Sequence, residues 1–241
     1  MAIISTKAIV ISAIKYSDTS LIVRLYTKEV GLVSYLLKGI LKSKKGKLRT
    51  AYFQPLTQLS IIASHQEKRS LQLIKEVQVI HAYDSIHTSV VKQSIVLFLS
   101  EILTNAIQEE ENNTLLYDYL ESSFIWLDSH QQISNFHFPF LLNLTKFLGF
   151  YPDISQSKKS GFNLREGYFT DDLQDKEVVK GIEINQLKKL LGINFDTLEY
   201  INFSKTERQK ILQILIRYFE LHLDGFRIPK SLAVLETVFS R

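Results

Sequence analysis

Ser20-Leu21-Ile22-Val23-Arg24-Leu25-Tyr26, followed across a turn ending at Gly31 by Leu32-Val33-Ser34-Tyr35-Leu36-Leu37, is the stretch on which the reading of the fold turns. Two short apolar runs rich in β-branched and aromatic residues, parted by a few polar residues and a glycine, read as two strands joined by a turn. Working outward, Ala8-Ile9-Val10-Ile11 supplies an earlier strand. After a basic loop, Gln54 to Ala63 and Leu71 to Ile80 supply two more. Five strands with short polar turns imply a small barrel or sandwich of the size of an OB-fold. Periodicity alone does not separate an OB-fold from an SH3-like barrel.

From residue 84 the period changes. Val91, Ile95, Phe98 and Ile102 recur at helical spacing between Ser89 and Ile107, and Leu116, Tyr119, Leu120 and Phe124 share a stripe between Thr114 and Leu127. Asn135 to Phe147 ends at Gly149 with Pro152 beyond, a C-cap pattern. Ser204-Lys205-Thr206-Glu207 is a capping box ahead of Ile211, Leu212, Leu215, Tyr218 and Phe219. Asp224-Gly225 stops that helix, and Pro229 opens a last short one ending near Phe239. Between the helices, Gly161-Phe162-Asn163-Leu164 and Gly167-Tyr168-Phe169 flank Arg165-Glu166 and read as a hairpin. The expected fold class is α+β. A small N-terminal β-barrel (OB-fold) over 1–80 precedes an all-helical domain over 81–241, with a small β-hairpin insertion over 153–176.

Composition narrows the function classes. Apolar residues make up 45% and aromatic residues 11%, so the chain can bury a core and is not a disordered segment. No apolar run reaches the roughly 20 residues needed to span a bilayer. The opening MAIISTKAIVIS carries Lys7 and no small-residue cleavage pattern, so a secretory signal is not expected. The absence of cysteine removes disulfides, thiol nucleophiles and cysteine zinc sites, and fits a reducing cytoplasm. The net charge of +4 hides an asymmetry. Residues 1–80 hold thirteen Lys and Arg against four Asp and Glu, and the remainder sixteen against twenty-one. A basic first module points to a polyanion partner.

The sharpest local feature lies in that module. Lys38, Lys42, Lys44, Lys45, Lys47 and Arg49 fall within twelve residues that also hold Gly39 and Gly46 and no acid. Flexible point charges on a glycine-containing loop can follow a phosphate backbone, whereas no helix or Asn/Gln cluster accompanies them to read bases. A solvated hairpin loop is the plainer alternative. Tyr16, Tyr26, Tyr35, Tyr52 and Phe53 are available for base stacking, or for core packing. The loop is not a nucleotide-binding phosphate loop, because Lys47 is followed by Leu48. Histidines 65, 81, 87, 130, 137 and 222 lack the pairing of a helical metal site, and no Gly-x-Ser-x-Gly elbow occurs. No catalytic residue, metal or cofactor is expected.

A second region runs from Arg217 to Leu232. There Arg217, Arg227 and Lys230 alternate with Phe219, Leu223, Phe226 and Ile228 around a chain reversal. Such a groove suits an acidic peptide ending in an aromatic residue. Helix packing with exposed cations is the alternative.

Taken in order, Lys15-Tyr16-Ser17-Asp18-Thr19-Ser20-Leu21-Ile22-Val23, Tyr26-Thr27 to Gly31-Leu32, Lys38-Gly39, Phe147-Leu148-Gly149-Phe150 with Pro152, and the closing Pro229-Lys230-Ser231-Leu232 resemble the RecO family of bacterial recombination mediators. The similarity spans nearly the whole chain. It implies an OB-fold followed by a helical domain and no catalytic chemistry. It also implies binding of single- and double-stranded DNA, annealing of complementary strands, and loading of the RecA recombinase onto strands coated by single-strand-binding protein. RecR and the C-terminal tail of single-strand-binding protein would be partners, and the location cytoplasmic and nucleoid-associated. On this reading the DNA-binding set is Lys15, Arg24, Lys38, Lys42, Lys44, Lys45, Lys47 and Arg49, and the tail site is Arg217, Phe219, Leu223, Phe226, Arg227 and Lys230. Many family members carry a four-cysteine zinc site after the Leu-Gly-Phe-x-Pro segment. Here Asp153 to Asp175 has no cysteine, so zinc is not carried over and a hairpin held by aromatic packing is expected. A non-enzymatic RNA-binding or protein-interaction scaffold is the rival reading.

Overall fold

The computed structural model describes residues 2–42, 48–66, 68–108 and 111–239, and the chain divides into two compact units, 1–128 and 129–241. In the first unit β1 (Ala2–Lys15) is long enough to serve two neighbours. Its first part pairs antiparallel with β4 (Gln58–His65), and its second part with β2 (Leu21–Thr27). A register shift between Val10 and Ser12 bends the strand as it changes partner. β3 (Gly31–Leu37) adds to β2, and β5 (Leu73–His81) adds to β4, giving the order β3-β2-β1-β4-β5.

The two edges then meet. Tyr35 and Gln72 form a parallel bridge, with Leu36 N–H donating to the Gln72 carbonyl and Gln72 N–H to the Ser34 carbonyl, both at 2.9 Å. Closure with one parallel join is the OB-fold barrel and removes both open edges. Ala8, Val10, Val23, Leu25, Tyr35, Leu59 and Ile61 fill its interior.

The fourth strand starts at Gln58 rather than Gln54, and the reason is local. Leu56 is buried with a φ of 62°, a region that costs an L-residue about 1–2 kcal/mol. Its N–H donates to the Val10 carbonyl at 2.8 Å, and Val10 N–H donates to the Thr57 carbonyl at 3.0 Å. Those bonds hold the turn where the β1 bulge leaves groups to be paired.

Two helices complete this unit, α1 (Val90–Ala106) and α2 (Thr114–Ser129). The Ser100 hydroxyl of α1 donates to the Ile11 carbonyl at 2.7 Å, and Tyr26 stacks on Tyr117 of α2. Lys7–Glu121 and Lys28–Asp118 ion pairs flank that contact.

The second unit is built on α3 (His137–Phe147), α4 (Ile182–Leu190), α5 (Lys205–His222) and α6 (Leu232–Val238). The capping box at Ser204 forms in both directions, and Gly149 with φ 84° ends the turn after α3. The expected hairpin is present as β6 (Gly161–Asn163) and β7 (Tyr168–Thr170). A third strand, β8 (Val178–Val179), pairs with β6 and makes it a three-stranded sheet. Phe162 packs on Phe169 at 5.0 Å and on Tyr218 at 5.8 Å, so rings fix this sheet to α5. No helix among the described residues is long and apolar enough to cross a membrane.

Candidate nucleic-acid interface

The basic segment leaves the barrel where β3 ends. Lys38 and Lys42 are exposed on a turn that Ile40 anchors by burial against the barrel core. Gly39, with φ 70°, makes the sharp step, and Lys42 N–H closes the turn on the Gly39 carbonyl at 3.1 Å. The Leu41 N–H donates to the Thr19 carbonyl at 3.0 Å, and Gly39 N–H to the Ser20 hydroxyl at 3.3 Å. Those bonds join the segment to the β1–β2 turn, which Lys15 enters. Lys15, Lys38 and Lys42 therefore share one end of the barrel. Lys15 faces Asp18 at 3.5 Å, but both are exposed, and such a pair contributes little and releases its lysine readily. Lys44, Lys45 and Lys47 lie outside the described residues. The chain returns at Leu48, partly buried on the barrel core, and exposed Arg49 precedes a 3₁₀ turn over Thr50–Phe53.

Of the five rings available for stacking, the barrel claims most. Tyr35 and Phe53 are in its core, Tyr52 packs partly buried against that core, and Tyr26 is buried against Tyr117 of α2. Tyr16 is 60% exposed, beside Lys15 and next to the turn that receives Leu41. It is the most exposed of the five rings.

Arg24 stands apart. It faces away from the barrel core in mid-β2, opposite Ser34 of β3, and its Nη1 donates to the Thr104 carbonyl near the end of α1 at 3.4 Å. Burial lowers the pKa of its guanidinium, which stays charged all the same. The side chain lines a cleft of about 570 Å³ together with His65, Lys68, Arg69, Gln72 and Gln108. Sequence reasoning did not single out Lys68 and Arg69. The signal was a dibasic pair in the polar turn between two strand runs, but Glu67 stands beside it and the pairing with Arg24 needs the closed barrel.

In the second unit the proposed tail-binding residues separate into three kinds. Arg217 is already engaged. Its Nε and Nη2 donate to the two Glu177 oxygens at 3.1 and 2.7 Å, and Nη1 reaches Glu220 at 3.4 Å. The hydrogen bond from Arg217 holds the Glu177 carboxyl below its ordinary value. Phe219 is fully buried and packs edge-on against Phe150. Leu223 and Phe226 are half-buried, while Arg227, Ile228 and Lys230 face solvent around the reversal at Gly225, which has φ 71°. Among the described residues no three His, Asp or Glu side chains gather as a metal site.

Comparison with known proteins adds an independent line. Residues 1–83 match the family described as Recombination protein O N terminal, and residues 87–232 match Recombination protein O C terminal. A protein of Christiangramia forsetii named DNA repair protein RecO is 48% identical over 98% of this chain and 99% of its own length. Proteins of the same name from Flavobacterium psychrophilum and Bacteroides fragilis are 48% and 36% identical, over 98% and 97% of this chain and 99% and 98% of their own lengths.

Proposed function

The chain belongs to the RecO family of DNA repair proteins, and from that premise we propose that it is a non-enzymatic recombination mediator that binds single- and double-stranded DNA through its barrel. On this reading it anneals complementary strands and, with RecR, helps load RecA onto strands coated by single-strand-binding protein, in the cytoplasm. The observation that carries the reading is the cation-rich barrel end. Lys15, Lys38 and Lys42 are exposed side by side in a module whose balance is thirteen cations to four acids. Exposed Tyr16 among them supplies a stacking face, worth about 1–3 kcal/mol per base in proteins that bind single strands.

Competition binding tests it. Single-stranded DNA, duplex DNA and RNA of equal length are titrated against a labelled single strand bound to the full chain, over a range of salt. DNA binding that weakens steeply with salt is the expected result, because each neutralised phosphate releases counterions. RNA displacing the strand at a lower concentration than either DNA would favour the RNA-binding scaffold instead.

A further inference from the structure

We propose that the first residues of β1 form a self-pairing edge, through which two copies of this chain associate antiparallel about a twofold axis centred on Ile4.

The edge follows from how β1 is shared. Val10 N–H donates to the Thr57 carbonyl, and the Val10 carbonyl accepts from Leu56 N–H, so both Val10 groups aim at the β4 side. The ladder from Ala2 to Ile9 has no register shift, so Thr6, Ile4 and Ala2 aim the same way. Lys7, Ser5 and Ile3 therefore point their N–H and C=O groups at the opposite side. There the Lys7 carbonyl accepts from Lys28 N–H at 3.0 Å, and Glu29 N–H turns aside to the Thr6 hydroxyl at 3.2 Å. Pairing with β2 starts only at Ala8. Among the described residues no backbone group meets Ile3 or Ser5 on that side, and Ala2, Ile3 and Ser5 are exposed. The closing bridge joins β3 to β5 and leaves this stretch of β1 uncovered.

Open edges are usually guarded by a charge, a proline or a bulge. Ala2-Ile3-Ile4-Ser5 has none of these. The Lys28–Glu29 turn ends the free stretch at Ser5, so an added strand pairs over Ala2–Ser5 only.

The same four residues of a second copy match that span and both of its faces. With Ile4 opposite Ile4, Ile3 stands opposite Ser5 in both directions, and these are the residues whose N–H and C=O groups point outward. Each such pair exchanges both of its hydrogen bonds. On one face Ile4 meets Ile4 in the closer, non-hydrogen-bonded arrangement. On the other, Ile3, which is 54% exposed, reaches the second Ile3 diagonally. The stretch is uncharged, so no like charges oppose each other across the axis. A twofold pair uses each edge once and closes at two copies, whereas a head-to-tail contact would propagate. Strands this short bury well under the about 1,600 Å² of a standard interface, so the association is weak and reversible.

The chain has no cysteine, so one introduced thiol per copy reads the pairing. Full-length Ile4→Cys is oxidised under native conditions beside Ala2→Cys, and disulfide dimer is followed on a non-reducing gel. Opposed residues of a non-hydrogen-bonded pair have Cα atoms about 4.5 Å apart, within the reach of a disulfide. The two Ala2 positions would lie about 13 Å apart along the strands, beyond that reach. Ile4→Cys should therefore cross-link about tenfold or more faster than Ala2→Cys, because pairing raises the local thiol concentration. Adding Ser5→Pro, which deletes an N–H aimed at the free edge, should bring the rate down to that of Ala2→Cys. Ile3→Lys, which sets a charge on the edge and leaves the backbone intact, should lower it too. Urea unfolding confirms that each variant is folded. Equal rates from Ile4→Cys and Ala2→Cys overturn the proposal and leave the edge to a strand of different sequence. An Ile4→Cys rate that neither Ser5→Pro nor Ile3→Lys changes in a folded protein overturns it as well.

Discussion

Lys92 is 2% exposed, and its ammonium donates to the main-chain carbonyl of Asp128 at 2.7 Å and to the Ser85 hydroxyl at 2.6 Å. The Asp128 carboxylate is turned the other way. It accepts the backbone N–H groups of Asp84, Ser85 and Ile86 at 2.8–2.9 Å. One residue pair therefore ties the connection after β5 to the end of α2, with each polar atom matched. Burial alone would raise the Asp128 pKa, but the three N–H donors and Ser85 outweigh it and hold the carboxyl below its ordinary value.

Removing the carboxylate should hurt more than removing the ammonium. Asp128→Ala leaves three N–H donors, that of Ile86 buried and those of Asp84 and Ser85 partly buried, without their acceptor and should cost about 3 kcal/mol, since an orphaned buried group costs about 1–3 kcal/mol. Lys92→Met removes one donor to the Asp128 carbonyl, which still accepts from the Ser85 hydroxyl at 2.6 Å, and should cost about 1–2 kcal/mol. Urea unfolding followed by the fluorescence of Trp126, the single tryptophan and two residues from Asp128, reads both. Equal losses would mean that the ammonium organises the site as much as the carboxylate does. The sign of the pH effect follows from the depressed carboxyl. Its contribution is complete above the usual carboxylate value of about 4 and is lost as pH falls below it.

His137 sets a different pH window in the second unit. Complete burial, with the Arg208 charge nearby, pushes its imidazole down to about 3. The ring sits between Phe138 and Phe239 at 4.1 and 5.5 Å. The unfolded chain takes up a proton near pH 6.5 and the folded one does not, so stability is full above that value. It should fall by about 1.4 kcal/mol per pH unit below it. Hydrogen exchange of the α3 amides between pH 6.5 and 4 measures the slope. A His137→Gln variant should lack it, and an unchanged slope there would move the cause to another group.

Much of this was legible from local chemistry. The Ser204 capping box and the Gly149 stop are short-range signals, and both formed as read. The strand runs around Gly31 gave the barrel because β-branched residues and turn residues alternate on the scale of a strand. What stayed hidden depends on closure. Which tyrosines face inward follows from the bridge between Tyr35 and Gln72, not from either neighbourhood. The cleft gathers Arg24, Lys68 and Gln108, which are far apart in sequence. β8 is two residues long and carries no period at all.

Gly167 shows how tightly the small sheet is seated. It has φ 72°, and a Cβ there would stand 2.9 Å from the Tyr218 hydroxyl. That hydroxyl donates to the Phe150 carbonyl at 2.7 Å and cannot swing away without losing the bond. Gly167→Ala should therefore destabilise the second unit by about 1–2 kcal/mol from the backbone alone, and further through the lost hydrogen bond. In a Tyr218→Phe background the clash is relieved, so the penalty of the alanine should shrink. Full additivity in a thermal-unfolding double-mutant cycle would show that the two positions do not meet.

The tail-binding proposal is sharpened by where its cations lie. Arg217 holds Glu177 with two nitrogens, so it is committed within the fold. Phe219 is buried, so it can only form the floor beneath the half-buried Leu223 and Phe226. Arg227, Ile228 and Lys230 are exposed around the reversal, and in this proposal a terminal carboxylate meets the two cations there. A charge-assisted contact of about 1.5–3 kcal/mol and a buried Phe of about 1.5–3 kcal/mol suit weak, reversible capture once ordering costs are met. Residues 81–241 carry sixteen cations against twenty-one acids, so the attraction is local, within about 10 Å at ordinary salt. A labelled acidic peptide ending in Phe, titrated into the full chain, should bind wild type and lose most of its affinity on Arg227→Glu with Lys230→Glu. Arg217→Gln should lower thermal stability and leave peptide affinity within twofold of wild type (about 0.4 kcal/mol). Peptide binding that survives the double charge reversal would place the tail site elsewhere on the chain.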